Sequence, residues 1–255
     1  MPTTLELIPL ADFPLVEPGQ NVAQLIAACL EKNGLALMEG DVLIVAQKII
    51  SKAEDRYVRL ADVEPSPAAL ALAEQADKDP RQMELVLRES QEIVKVRPGV
   101  VIVEHRNGYV HANAGIDKSN IPARDNDPQV LLLPKNPDGS AQILLETLSR
   151  YSGIGVKIII NDSFGRAWRN GTVGVAIGTA GFQPLYNQVG EKDLYGNILE
   201  VTESAVADEL AAAASLVMGQ AAEACPVVLA RGLTLQAAET GSHSLIRAKS
   251  QDMFR

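Results

Sequence analysis

Apolar positions along the chain fall into three patterns. The first is a set of short, β-branched runs: Leu5–Pro9, Val42–Ala46, Val156–Ile160, Thr172–Ile177 and Pro226–Leu229. Val42–Ala46 and Val156–Ile160 carry almost no polar alternation, which predicts strands buried on both faces. The second pattern has helical spacing. Val22, Leu25, Ile26, Cys29 and Leu30 share one face of a helix over 22–33, opened by Asn21 with Gln24 three residues on and stopped by Gly34. Ser66-Pro67 and Asp79-Pro80 each set an N-cap before a proline, predicting helices at about 67–77 and 80–89. Ser140 is the expected cap of a helix over 141–150 with Ile143, Leu144, Leu145 and Leu148 inward, ended by Gly153. Thr202 is the expected cap of an Ala-rich helix over about 203–223, with Ala205, Leu210, Ala213, Leu216 and Val217 as its apolar positions. The third pattern is a series of short strands, Ile93–Val96, Val100–Val103 and Tyr109–Ala112, split by Pro98-Gly99 and Asn107-Gly108 turns, with Val130–Leu133 after them. The polar tail from 233 to 255 has no assignable pattern.

Composition narrows the class. The 255 residues are 47% hydrophobic and 22% charged, enough for a large core in one domain or two small ones. A net charge of −9 argues against a general nucleic-acid binder, since phosphate contacts dominate such affinity. Cys29 and Cys225 sit in apolar surroundings and read as free thiols of a reducing compartment. With neither a signal-peptide pattern nor a membrane-length apolar run, a soluble cytoplasmic protein is expected.

The chemistry is concentrated where strands end. Val156–Ile160 runs into Asn161-Asp162-Ser163, and the strand is expected to stop there. A carboxylate in that position is costly to desolvate unless something binds it. Behind it lies a glycine-rich cationic loop with Gly165, Arg166, Trp168, Arg169 and Gly171, which suggests an anionic, phosphorylated ligand and a metal. Trp168 reads first as a packing residue, with stacking on a flat ring as the lesser reading. A second cluster, Ala112–Asn120, offers Asp117, Ser119 and Asn120 as hard oxygen ligands suited to Mg²⁺ or Mn²⁺. Taken alone it equally reads as a polar loop with an Asx turn. Gln47, Lys48 and Lys52 follow the Val42–Ala46 strand, as surface groups or phosphate contacts.

Several common sites are excluded. Gly165 and Gly171 enclose five residues and Thr172 stands where a Walker lysine belongs. Gly153-Ile154-Gly155 precedes a strand, unlike a dinucleotide fingerprint. His105, His111 and His243 lack zinc spacing, and Ser163 has no nucleophile elbow.

Four segments in order, 46–54 (AQKIISKAE), 112–120 (ANAGIDKSN), 161–178 (NDSFGRAWRNGTVGVAIG) and 207–232 (ADELAAAASLVMGQAAEACPVVLARG), resemble the coenzyme F420-0:γ-glutamyl ligase family. The resemblance implies an α+β fold with a mixed or antiparallel sheet and flanking helices, neither a P-loop nor a Rossmann fold. It covers residues 1–255 as one unit, undivided or as two intertwined subdomains, with no fused flavin-binding domain. It implies a GTP-dependent ligase that adds L-glutamate to F420-0, a phospholactyl-deazaflavin, extends a γ-linked tail, and uses two Mg²⁺ or Mn²⁺ ions, K⁺ and a homodimer. Carried over by motif, Asp117 and Asp162 are catalytic residues holding the first divalent metal. Ser163 and Gln220 lie at the second. Phe13, Pro14, Leu15, Val16, Gln47, Lys48, Lys52, Asn120 and the run Met218, Gly219, Gln220, Ala221, Ala222, Glu223, Ala224, Cys225 line the GTP site. Lys118, Arg166 and Arg169 are weaker substrate contacts. Two other readings use the same residues: a two-metal phosphohydrolase acting on a phosphate ester, and a GTP-binding module without turnover.

Overall fold

The computed structural model describes residues 4–122 and 128–253. Its strands are β1 (Glu6–Pro9), β2 (Val42–Ala46), β3 (Tyr57–Arg59), β4 (Ser90–Arg97), β5 (Val100–His105), β6 (Val110–Ala112), β7 (Gln129–Leu131), β8 (Lys157–Gly165), β9 (Thr172–Ala180), β10 (Tyr186–Asn187), β11 (Glu203–Ser204) and β12 (Val227–Arg231). Its α-helices are α1 (Val22–Lys32), α2 (Gln47–Ala53), α3 (Pro67–Ala76), α4 (Pro80–Glu89), α5 (Pro137–Ser152) and α6 (Val206–Met218).

Five strands make the central sheet in the order β1-β12-β2-β8-β9; β2 and β8 run parallel and the other pairs antiparallel. The central pair is covered on both faces. Leu43, Val45, Ile158 and Ile160 pack with α1 and α5, while Val42, Ile44 and Ile159 pack with α6. Strict side-chain alternation sends neighbouring residues to opposite cores, so both runs are apolar throughout. The fold is α+β with a mixed sheet and flanking helices.

The crossover from β2 to β8 spans residues 47–156 and, ahead of α5, builds a second layer. There α3 and α4 pack on the β4–β5–β6 meander around Leu72, Met83, Val86, Val101 and Val103. Buried Glu89 receives Arg56 Nη2 at 2.8 Å and Arg106 Nη2 at 2.6 Å, tying α4 to the α2–β3 link and to the β5–β6 turn.

Three expectations are corrected, and one further helix is found. The β8 strand does not stop at Asn161; it pairs with β9 through Gly165, making 166–171 a hairpin tip. Helix α5 begins at Pro137 and is capped by Asn136, whose Oδ1 accepts from Gly139 N–H at 3.0 Å; Ser140 lies inside it and Ile143 is 65% exposed. Thr202 caps nothing, because Glu203–Ser204 pair with β10 and α6 starts only at Val206, with Leu216 exposed. Gln47 and Lys48 open α2 directly from β2, a seven-residue helix too short to show a period.

Candidate active site

The site grows from the carboxyl end of the parallel pair. Ala46 pairs with Asn161, so Gln47 and Asp162 emerge side by side where β2 turns into α2. Just there β9 bulges: Ile160 pairs with Gly178 but Asn161 with Ala176, leaving Ile177 extra. The bulge resets β9 so that Gly174 faces α6 and Gly178 faces the start of α5. A Cβ on Gly174 would lie 2.3 Å from Ala211 O, and one on Gly178 2.5 Å from Pro137 C. Beyond the bulge β8 keeps alternating. Asp162 points to the α2 side, whereas Asn161 and Ser163 point to the α6 side.

Asp117 arrives from the other layer. Asn113, Ala114 and Gly115 all have positive φ and turn the chain sharply after β6. A Cβ on Gly115 would sit 2.6 Å from His111 Cε1, so the turn fits only glycine. Asp117 then exchanges both backbone hydrogen bonds with Leu131, at 2.9 Å each. Its Oδ2 accepts from Lys48 Nζ and its Oδ1 accepts from Ser119 Oγ at 2.8 Å. Lys48 also donates to Ser119 O at 3.1 Å. Gln47, buried beneath, accepts from Ser51 Oγ at 2.9 Å.

The electrostatics follow from crowding. Burial pushes the Asp162 carboxyl up to about 6, and the Asp117 charge adds to that. The Ser163 N–H, which donates to Asp162 Oδ1 at 2.8 Å, the Lys48 ammonium and the Gln47 side chain pull the other way. The Lys52 ammonium is held below its ordinary range by burial and by Lys48. Two carboxylates facing one lysine form a set that favours added positive charge.

On the α6 side, Gly219 (φ +73°) reverses the chain after Met218, and a Cβ there would collide with the Glu223 side chain at 2.2 Å. The reversal delivers Gln220, whose Nε2 donates to Ser163 Oγ at 3.0 Å. Ala221 O accepts from Asn120 Nδ2 at 2.9 Å, and Ala221 N–H donates to Glu223 Oε2 at 2.7 Å. The fold thus draws together 47–52, 117–120, 162–163 and 218–223.

The remaining sequence candidates take varied positions. Phe13 and Val16 are buried in the main core, leaving Pro14 and Leu15 exposed. Cys225 is half-buried beside β12, its Sγ 3.7 Å from Val227 O, and Cys29 is buried; both are free. Lys118 is exposed near Asp79, and Arg166 and Arg169 lie on the hairpin tip. Trp168 is not a packing residue: it is 86% exposed.

Asn161 was missed as a site residue. Its Nδ2 donates to Ser215 Oγ at 3.0 Å and approaches Met218 Sδ at 3.5 Å, pinning the end of α6 from which Gln220 departs. The signal was available: an amide inside an otherwise apolar strand needs a partner.

The sequence profile of one family, F420-0:Gamma-glutamyl ligase, matches residues 11–232. The chain belongs to that family. The Coenzyme F420:L-glutamate ligase of Methanothermobacter thermautotrophicus is 45% identical over 253 residues, 98% of this chain and 99% of the relative. Proteins of the same name from Methanopyrus kandleri (45% identical, 99% and 98% covered) and Methanocaldococcus jannaschii (40%, 96% and 94%) also align over nearly their full length. As a member of the F420-0:gamma-glutamyl ligase family this chain is a ligase, an enzyme that joins an acid to an amino acid. Among the described residues no helix is long and apolar enough to cross a membrane.

Proposed function

We propose that the enzyme joins L-glutamate to the carboxylate of F420-0 with GTP as phosphoryl donor, then extends the product through γ-linked glutamates. The observation that carries this reading is the convergence of Asp117 and Asp162 with Lys48 at the carboxyl end of the parallel strands. GTP phosphorylates the acceptor carboxylate; the glutamate amine attacks the acyl phosphate, the C–N bond forms and phosphate leaves. Phosphoryl transfer of this kind needs positioning and charge neutralisation more than covalent help. Lys48 and Lys52 supply cations, and Asn120 with Ala221 fastens the 112–120 segment to the 218–225 segment around the nucleotide.

The donor set fits divalent metal. Asp117, Asp162, Ser163 and Gln220 offer hard oxygens as donors. Two carboxylates completed by neutral oxygens, water and phosphate suit Mg²⁺ or Mn²⁺. Asp117 and Asp162 would hold one ion, and Ser163 with Gln220 the second. Bound there, such ions would supply positive charge against the phosphates of GTP. K⁺ belongs to the same reading, as does work in the cytoplasm. A homodimer is supported by the arm between β10 and β11, where Leu194, Tyr195, Ile198 and Val201 are exposed.

The test incubates the protein with F420-0, GTP, Mn²⁺ and L-glutamate and reads product mass. Glutamate-sized increments, with GDP release that depends on glutamate, are expected. GDP release without glutamate would instead mark a phosphohydrolase. Asp117→Ala should abolish the increments while the protein stays folded by circular dichroism.

A further inference from the structure

The tip of the β8–β9 hairpin carries groups that the carboxylate site leaves unused. Trp168 is the chain's one tryptophan; it is 86% exposed and stands at φ +63°, a conformation bulky side chains rarely adopt. Arg166 donates from Nη1 to its own loop at Gly171 O, 3.2 Å away, bridging the two sides of the tip. Arg169, exposed, follows at once. The tip rises from the same strand pair as Asp162 and Ser163, and at ~3.3 Å per residue Gly165 lies about 10 Å beyond Asp162.

We propose that Trp168 is the platform on which the flat ring of the acceptor stacks, with Arg169 facing the acceptor's phosphodiester. This rests on the ligase reading. The acceptor has a reacting carboxylate at one end and an aromatic ring at the other. With the carboxylate at Asp162, the ring must lie away from the triphosphate, and residues 165–170 at the hairpin tip are the exposed end of this strand pair. A tryptophan buries 150–250 Å² when covered, so an exposed one held out by a strained backbone has stabilisation to gain from a planar occupant. The charge agrees. On a protein of net charge −9 an anionic acceptor is repelled in general, and Arg166 with Arg169 puts two positive charges at the tip.

The experiment compares wild type, Trp168→Ala and Trp168→Phe as full-length enzymes with F420-0 and with a phospholactate acceptor that lacks the ring. Trp168→Ala should raise KM for F420-0 about ten-fold, the size of one lost stacking contact, while KM for GTP and for glutamate stays near wild type. Trp168→Phe should recover most of the loss. The ring-free acceptor should serve wild type and Trp168→Ala equally. Equal losses with the ring-free acceptor, or a matching rise in KM for GTP, would overturn the proposal. A fall in oligomer size by sedimentation, with losses for every substrate, would make the tip a subunit contact and also overturn it. If wild type adds no glutamate to F420-0, the ligase reading fails first and takes this one with it. Normal wild-type turnover with an unchanged Trp168→Ala KM rejects the platform alone.

Discussion

Replacing Asn161 by alanine should separate the stability of α6 from its service to the site. Asn161 is 4% exposed; its Nδ2 bonds Ser215 Oγ at 3.0 Å and reaches Met218 Sδ at 3.5 Å, while its Oδ1 has no partner. Losing the Ser215 bond costs about 1 kcal/mol, and the thioether is only a weak acceptor. Removing the orphaned Oδ1 returns about 1–3 kcal/mol of desolvation penalty, so the net change is between zero and about 2 kcal/mol in favour of the variant. The melting temperature should therefore not fall, and should rise by no more than about 8 °C for a chain of this size. Activity should respond far more. Without the amide, the end of α6 is released, and with it the Gly219 reversal that holds Gln220 on Ser163. Residues that orient metal ligands typically matter 10–100-fold, so kcat at limiting Mn²⁺ should fall by about that factor. The assay is steady-state ligation across a Mn²⁺ series, paired with thermal denaturation. In a Gln220→Ala background, the Asn161 substitution should have little further effect, because both act through one contact. Full activity at limiting Mn²⁺, or losses that simply add, would refute the reasoning.

Three other outcomes are expected. Gly174→Ala would put a methyl 2.2 Å from Ser215 Oγ and 2.3 Å from Ala211 O, backbone that cannot rotate away. It should cost about 2–3 kcal/mol in urea unfolding and impair ligation with it. His111, 3% exposed and packed against Phe164 with His105 and Tyr109 beside it, is pushed down to about 3, first by burial and then by His105. Its folded value lies below its unfolded one, so its contribution is complete above pH 6.5 and is lost as pH falls toward 3. The stability difference between wild type and His111→Phe should thus shift against wild type by about 1.4 kcal/mol per pH unit below 6.5, read by urea unfolding at pH 7, 6 and 5. Finally, Mn²⁺ should raise the melting temperature of wild type and EDTA should reverse it, with Asp162→Asn losing most of the shift.

Element types were largely legible along the chain, for local reasons. Double burial strips β2 and β8 of polar residues, and Asn21, Ser66 and Asp79 accept from Gln24, Ala69 and Arg81 N–H as helix caps should. Where a cap competed with tertiary pairing, local signals misled: Thr202 precedes residues drawn into β11, and Asn136 outcompeted Ser140 because Pro137 favours the first helical position. Trp168 looked like packing because tryptophan usually is, and only its exposure at the hairpin tip showed otherwise.

By itself the sequence determined which strands are central, which residue types could bind a phosphorylated ligand and metal, and which family the motifs resemble. Tertiary structure alone decided that Asp117 and Asp162, 45 positions apart, share Lys48, and that the adjacent Asp162 and Ser163 serve opposite faces of one strand. The physical reason is register. A parallel pairing of Ala46 with Asn161 and one bulge at Ile177 fix where every side chain beyond them points, and neither leaves a mark in local composition.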